Sequence, residues 1–430
     1  MKTPIQKFRR AIRLALAPVG SHRDRWLRER IRSWSKLRQM TWQSIALRLL
    51  PQFIAHPIRN KVRQHRIIAA QPYRAELHTI LAAHPDARQV IIFPPSLDWN
   101  VQLFQRPQQL ALALAEQGAL IFYMHPKTVP DVDPFEQFQP RLYLCNVPVE
   151  TFALLDSPLI YLLTWNRTYA TAFRSPRVIY DYVDDILVFD GNYAQMLRDH
   201  QRLVQDAHLV LTTAAPLYHA TKNLRPDALL CPNGVDYSHF AVAREKGAAA
   251  PPTDMEPILE RGNPIVGYYG ALAEWFDYAL VMEVARQRPD ISFVIIGPDY
   301  DGTMPPSFLD LPNLDWLDVK PYKALPGYLA YFDVAVIPFV VNEITHAVSP
   351  LKLFEYMAGG KPVIITPMQE SMRYKGVLVA DTPAAFSERI NQALDLGEDE
   401  IYLQEIDQMA QASAWQARAE QILSALEQIE

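Results

Sequence analysis

Glycine is scarce in this sequence. Fifteen of 430 residues are glycine, about half the usual share. A glycine-rich phosphate loop is therefore absent, and any phosphate site has to use the free N–H groups of a helix end. Cysteine is scarcer still. Cys145 and Cys231 cannot make a disulfide framework; both fall at the ends of predicted strands, as buried thiols in a reducing compartment. No Cys/His cluster has metal-ligand spacing, so neither a metal nor a tightly bound cofactor is expected. No run of about eighteen apolar residues exists to span a bilayer. Arg13 breaks the one short apolar run near the start, which argues against a signal peptide.

What is present is unevenly charged. Residues 1–66 hold 17 Lys and Arg against Asp24 and Glu29, whereas the remainder holds 25 basic and 45 acidic residues. In the basic part Ile5, Phe8, Ile12 and Leu16 fall on one helical face, and Leu27, Ile31, Trp34 and then Trp42, Ile45, Leu49 repeat the pattern. Basic amphipathic helices of this kind suit an anionic membrane surface, with Trp, Leu and Ile in the interface and Arg around them. The competing reading is a helical extension packed on the acidic body. The aromatics are not spaced as a base-stacking platform, so no nucleic acid is expected.

From residue 89 apolar runs alternate with helical stretches: Gln89–Phe93, Ala119–Met124, Arg141–Val147, Leu159–Leu163, Arg177–Tyr182 and Leu209–Thr212. Cys231–Asp236 reads as a turn and 243–263 as a linker. A second alternation follows, with strands at Pro264–Tyr269, Phe293–Ile296, Leu314–Val319, Val334–Pro338, Ile364–Ile365 and Val377–Val379, and one closing helix over Tyr402–Ile429. The fold class is α/β, two doubly wound Rossmann-like domains facing a cleft. The segments are a basic helical extension 1–86, a first domain 87–242, the linker, a second domain 264–400 and a C-terminal helix 401–430. Ligands of such sheets bind at the carboxyl ends of strands. That singles out the loop 94–100 with Asp98 and Trp99, Arg106 at the next helix start, and Asp181 and Asp184 at another strand end. Asp131 and Asp133 lie in a proline-bracketed loop and read as solvated.

The stretch 349–363, Ser-Pro-Leu-Lys-Leu-Phe-Glu-Tyr-Met-Ala-Gly-Gly-Lys-Pro-Val, carries its own punctuation. Ser349 is the expected N-cap and Pro350 the first helical residue. Leu353, Phe354 and Met357 make an apolar stripe, and Gly359-Gly360 end the helix. Lys352 in the first turn opposes the helix dipole unless an anion docks there. Glu355 shares its face. Together they suit a nucleoside diphosphate, Lys352 on phosphate and Glu355 on ribose; a solvated surface ion pair is the competing reading.

This stretch, with Pro-Asn-Gly-Val-Asp at 232–236 and Gly-Tyr-Tyr-Gly-Ala-Leu at 267–272, resembles retaining glycosyltransferases of the GT-B fold, family four. Asp98-Trp99, Gln105-Arg106-Pro107 and 180–185 resemble a bacterial subgroup associated with cell-surface polysaccharides. The resemblance covers about 88–430. It implies a nucleotide-sugar donor on the second domain, a glycan or lipid-linked acceptor on the first, retention at the sugar carbon, and no structural metal. It places Ser349, Pro350 and Leu351 at the diphosphate, Glu355 at the ribose, and Gly270, Val319 and Lys320 along the donor, on loops that hold phosphate and base. Trp99, Arg106, Asp181 and Asp184 are acceptor-side candidates. The family's sugar-facing Glu corresponds to Ala347, leaving Asp98 and Glu343 as catalytic candidates. The loop Ala271–Asp277 lacks the family's cations, a charge that Lys352 replaces. Two alternatives stand beside transfer: a nucleotide-sugar epimerase, and a non-catalytic binding module. The expected location is the cytoplasm, peripheral on the inner membrane face.

Overall fold

The computed structural model describes residues 67–429 apart from 102–103, 128–131, 187–192 and 246–249. The expected helices of residues 1–66 lie outside the described residues. The chain divides into two units after Ala69, and both sheets belong to the second.

The first sheet has eight strands: β1 Val90–Phe93, β2 Leu120–Met124, β3 Phe135–Gln139, β4 Leu142–Cys145, β5 Leu159–Leu163, β6 Arg177–Tyr182, β7 Leu209–Thr212 and β8 Leu229–Leu230. Their order is β3-β4-β2-β1-β5-β6-β7-β8, parallel except where β3 pairs antiparallel with β4. The second has six: β9 Ile265–Tyr269, β10 Ser292–Ile296, β11 Leu314–Trp316, β12 Val334–Ile337, β13 Val363–Ile365 and β14 Val377–Val379, all parallel in the order β11-β10-β9-β12-β13-β14. Runs such as Leu-Ile-Tyr-Leu-Leu in β5 are buried along their whole length, as parallel strands covered on both faces have to be. Edge strand β3 was missed by the sequence reading because only Phe135 of it is buried, so no apolar run marks it. Strand order reverses at β1 and at β9, and the loops after these two strands open onto the crevice where such sheets bind ligands.

Helix α1, Arg74–Ala83, precedes the first sheet. The sequence reading ended the extension at residue 86, but Leu77 and Ile80 of this helix sit in the core beneath β1 and β2. The stretch 243–263 likewise sends Ala243, Met255 and Ile258 into the second core. Helix α2, Arg106–Glu116, follows β1, and α3, Ala215–Lys222, follows β7.

The single closing helix expected over Tyr402–Ile429 is broken. Helix α4, Leu351–Ala358, belongs to the motif described above; after β14 and a further helix come α5, Glu400–Ala412, and α6, Trp415–Ile429. Between α5 and α6 the backbone turns extended to pair with Val235: the Val235 N–H donates to Ser413 O at 3.0 Å and the Trp415 N–H to Val235 O at 3.1 Å. Helix α6 then packs on the first domain, with Trp415, Ile422 and Leu426 buried. Arg88 holds its outer face through Glu420 at 2.6 Å and Glu427 at 2.9 Å. Gly234 has to be glycine here: a Cβ would stand 2.8 Å from Ser413 O and 3.0 Å from the Trp415 ring. On the other flank of the cleft, buried Glu370 of the second domain accepts the Ala215 N–H at the start of α3 at 2.6 Å and the Tyr374 hydroxyl at 2.8 Å.

Candidate functional site

At the carboxyl ends of β9, β10 and β11 lies a cavity of about 200 Å³, lined by Tyr269, Gly270, Gly297, Pro298, Val319, Lys320, Tyr322, Leu351, Lys352 and Glu355, with Phe104 and Gln105 entering from the first domain. Of the expected donor residues, Gly270, Val319, Lys320, Leu351, Lys352 and Glu355 are therefore brought together from three separate segments.

The local sequence explains the geometry. Helix α4 is short and largely buried, so its first turn is presented by a fixed apolar body. The helix begins at Leu351 with Pro350 as its cap residue, one position later than expected. Ser349 does not cap it. Its Oγ accepts the Asn233 N–H at 3.3 Å and its carbonyl accepts Asn233 Nδ2 at 2.7 Å, so Ser349 ties the helix start to the interdomain turn. The free N–H groups at the start of α4 face the cavity end that Leu351 and Lys352 line.

Lys352 runs under the loop after β9. Gly270 has φ +147°, and a Cβ there would stand 2.0 Å from Lys352 Cε. The ammonium lies 5.6 Å from the Tyr268 and Phe339 ring centroids. Burial pushes its pKa down, with Glu355 pulling the other way. The Glu355 carboxyl is buried, and burial raises its pKa to about 7 despite Lys352. The Tyr269 hydroxyl is buried beside it without a hydrogen bond of normal geometry. A cation packed on two ring faces, a carboxyl whose ionised form burial disfavours and a buried hydroxyl meet at a helix N-terminus. The arrangement is costly empty and complementary to a ligand carrying both phosphate and hydroxyl groups.

Lys352→Met keeps the stem and removes the charge. We expect about a tenfold loss of affinity for a nucleoside diphosphate, the value of one charge-assisted contact, with the nucleoside nearly unaffected. Calorimetric titration of both ligands checks it, and equal losses would make the lysine structural.

The other expected residues are dispersed. Lys320 lines the cavity, but its ammonium pairs with Asp254 at 2.7 Å. Arg106 and Asp181 are not open to an acceptor: they form a buried bidentate pair at 2.6 and 3.1 Å. Arg106 also donates to Pro232 O at 3.0 Å and Asn233 Oδ1 at 3.3 Å. Tyr161 donates to Asp181 as well. Burial opposes the Arg106 charge, but Asp181, with Cys231 and Tyr161 behind it, outweighs that and holds the guanidinium pKa above its ordinary value. Trp99 is packed against Phe104, Tyr123 and Phe138 at the edge of a larger interdomain groove of about 720 Å³. Asp98 is exposed and bonds the Asn100 N–H at 3.1 Å. Asp184 sits partly buried at the end of β6, its pKa raised to about 6 by burial and then by Asp181. Glu343 is exposed and outside the cavity lining. Ala347 is buried in the first domain's core with Tyr182 and Ile186.

Tyr269 and Gln105 stand inside motifs of the sequence without a role of their own, and Tyr322 enters only as the end of the loop 318–322 that the resemblance assigns to the base. Phe104 carries no spacing signal, because the cleft brings it in from the first domain.

Residues 263–395 match the family model for Glycosyl transferases group 1. The chain is 29% identical over 198 residues to TuaH of Bacillus subtilis (strain 168), named for teichuronic acid biosynthesis as a glycosyltransferase. That match takes in 44% of this chain and 48% of the relative, so the chain spans about half the length of the curated protein it matches. Among solved structures, sucrose-phosphate synthase from Thermosynechococcus elongatus aligns with a TM-score of 0.58 at 18% identity over 79% of this chain and 99% of its own. HepE of Anabaena, solved with UDP and glucose, aligns with a TM-score of 0.56 at 16% identity over 79% of this chain and 100% of its own. The body has the GT-B fold, and its second domain carries the group 1 glycosyltransferase sequence pattern.

Proposed function

We propose that the protein is a glycosyltransferase that moves a sugar, with retention, from a nucleotide-sugar donor to a glycan or lipid-linked acceptor in cell-surface polysaccharide synthesis. One observation carries the reading: Lys352, Glu355, Tyr269 and the start of α4 converge in one cavity at the switch point of the second sheet. The family match over that domain and the name of the Bacillus relative support it. In this reading the bond from the sugar carbon to the diphosphate breaks as the acceptor oxygen bonds to the same face. The acceptor proton passes to the leaving phosphate, and Lys352 with the α4 N–H groups holds the charge that develops there. Incubation with nucleotide sugars and lipid-linked acceptors, followed by mass spectrometry of the lipid fraction, tests it. Release of nucleotide with sugar found on the acceptor is the expected result.

A second reading keeps binding without chemistry. It is favoured by Ala347, which brings no carboxylate from the loop before α4 and packs into the first domain instead. Tight nucleotide binding without turnover on any acceptor would select it.

The basic segment 1–66 is read as a peripheral anchor on the inner membrane face. No helix among the described residues is long and apolar enough to cross a membrane. Each basic residue near an anionic surface contributes about 1 kcal/mol, weakened as salt shortens the Debye length. Full-length protein is expected to co-sediment with anionic vesicles in low salt. A chain beginning at Ala70, which keeps α1 and its core residues, is expected to stay in solution. Equal sedimentation of the two would remove the membrane role. Nucleotide binding by the shorter chain checks that it is folded.

A further inference from the structure

Helix α3 opens without a cap of its own. Its N-cap position is Ala214, whose side chain cannot accept a backbone N–H, and Pro216 lies in its first turn. The Ala215 N–H is answered from the other domain. Glu370, on the loop between β13 and β14, reaches across the cleft and accepts it at 2.6 Å. The same carboxylate accepts the Tyr374 hydroxyl at 2.8 Å and Arg373 Nη1 at 3.0 and 3.1 Å. Glu370 is wholly buried, whereas the Arg373 side chain is 44% exposed. The carboxylate thus sits at the positive end of α3 with a half-solvated cation as its ionic partner. The water it gives up opposes the hydrogen bonds it gains, so the contact is closely balanced.

Glu370 is not among the residues that line the cavity, yet its loop holds the chain that leads into α4. The Glu370 N–H donates to His346 O at 3.2 Å, and the Gln369 N–H to His346 Nδ1 at 3.3 Å. Ala347, next in the chain, is buried in the first domain's core. Ser349 is tied to Asn233, and α4 begins at Leu351. Tyr374 adds a second route, its ring meeting Phe354 of α4 edge-on at 4.8 Å.

We propose that Glu370 is a positioning residue, a latch through which the first domain sets the start of α4. Its carboxylate caps α3 across the cleft, and that contact holds the His346 loop and Tyr374 in register with α4. Releasing it frees the first turn of α3 and the stretch 344–349 together. The consequence for the diphosphate rests on the nucleotide reading above; the coupling of the two stretches does not.

Hydrogen–deuterium exchange of the full-length protein, read by mass spectrometry at 214–219 and 344–349, tests the coupling. Glu370→Ala is expected to speed exchange at both stretches about tenfold, the factor of one charge-assisted hydrogen bond, and to leave β9 to β12 unchanged. Glu370→Gln keeps an oxygen for the Ala215 N–H and is expected to stay within about threefold of the wild type. Ala215→Pro cuts the same bond from the first domain, at a position where a helix accepts proline. It is expected to speed exchange at 344–349, in the other domain. Unchanged exchange there in a folded Glu370→Ala or Ala215→Pro protein overturns the latch. Faster exchange throughout the chain overturns it too, as the mark of a merely structural role. If Glu370→Ala does not fold, Ala215→Pro decides. Calorimetric titration with UDP, GDP, uridine and guanosine reads the consequence for binding. Glu370→Ala is expected to weaken the diphosphate that the wild type binds by about tenfold and to leave its nucleoside nearly unchanged. Equal losses for both, or none, would overturn the positioning of α4. Failure of the wild type to bind either diphosphate would sink the nucleotide reading and leave the exchange result to judge the latch.

Discussion

Asp181→Ala is expected to lower the unfolding free energy by about 3–5 kcal/mol, the cost of leaving a buried charge unpaired. Arg106 is 4% exposed and Asp181 fully buried. The substitution would strand a guanidinium left with Pro232 O, Asn233 Oδ1 and the face of Trp415 but no carboxylate, and would also free the Tyr161 hydroxyl. Because Asn233 in turn holds Ser349, the loss spreads from the floor of the first domain to the start of α4. Urea denaturation monitored by tryptophan fluorescence measures it. Two partner variants separate charge from packing. Asp181→Asn keeps a hydrogen-bond acceptor and should lose less. The double change Arg106→Met with Asp181→Leu removes both charges and should recover much of the deficit, since a buried pair is often replaceable by apolar packing. A loss below about 1 kcal/mol for Asp181→Ala would mean that the pair is hydrated in solution.

Glu355 carries the other large effect, and it has opposite signs for stability and for binding. Burial raises its carboxyl from the ordinary value to about 7. The ionised form is thus disfavoured in the fold relative to the unfolded chain. Below the unfolded pKa both states are protonated and the residue is neutral toward stability. As pH rises through the unfolded value and on to about 7 the empty protein loses stability, and above that the loss is constant, on the order of 1–3 kcal/mol. Glu355→Gln should therefore raise the thermal midpoint of the empty protein at pH 8 and leave it unchanged near pH 4. Binding runs the other way. Ribose hydroxyls donate to the carboxylate, so affinity for a nucleoside diphosphate should be full above pH 7 and fall as pH drops through it. Glu355→Ala should cost about 1.5–3 kcal/mol of that affinity. A thermal midpoint unmoved at pH 8 together with unchanged affinity would remove Glu355 from the site.

These two residues also show what could be read from sequence. Glu355 and Lys352 lie within one segment whose cap, stripe and stop signals fix a helix, so their shared face follows from local periodicity alone. Strands β5 and β7 were legible to the residue because each is an apolar run between polar turns, and β6 because Val178–Tyr180 form its apolar centre. Asp181 was misplaced for a physical reason: a carboxylate at a strand end looks the same whether it meets substrate or a guanidinium 75 positions away. Only tertiary packing distinguishes them. The break at Ser413–Ala414 was hidden similarly. The apolar period continues across it, and the extended turn is imposed by Val235 rather than by any local breaker. Tyr322 could be placed only as the end of the loop 318–322, because its neighbours His239, Phe240 and Gln109 come from other parts of the chain.

The crossing at Ser413–Trp415 bears on the order in which a ribosome could assemble this molecule. The first sheet emerges before the second, yet one side of its core is closed by Trp415, Ile422, Leu423 and Leu426, which are made only after the whole second domain. Vectorial synthesis gives the leading domain no head start. Its exposed flank has to wait, apolar, until the second domain has been translated and has carried α6 back across Val235. Loss of α6 would be felt first in the first domain, and a chaperone would find its substrate there during synthesis.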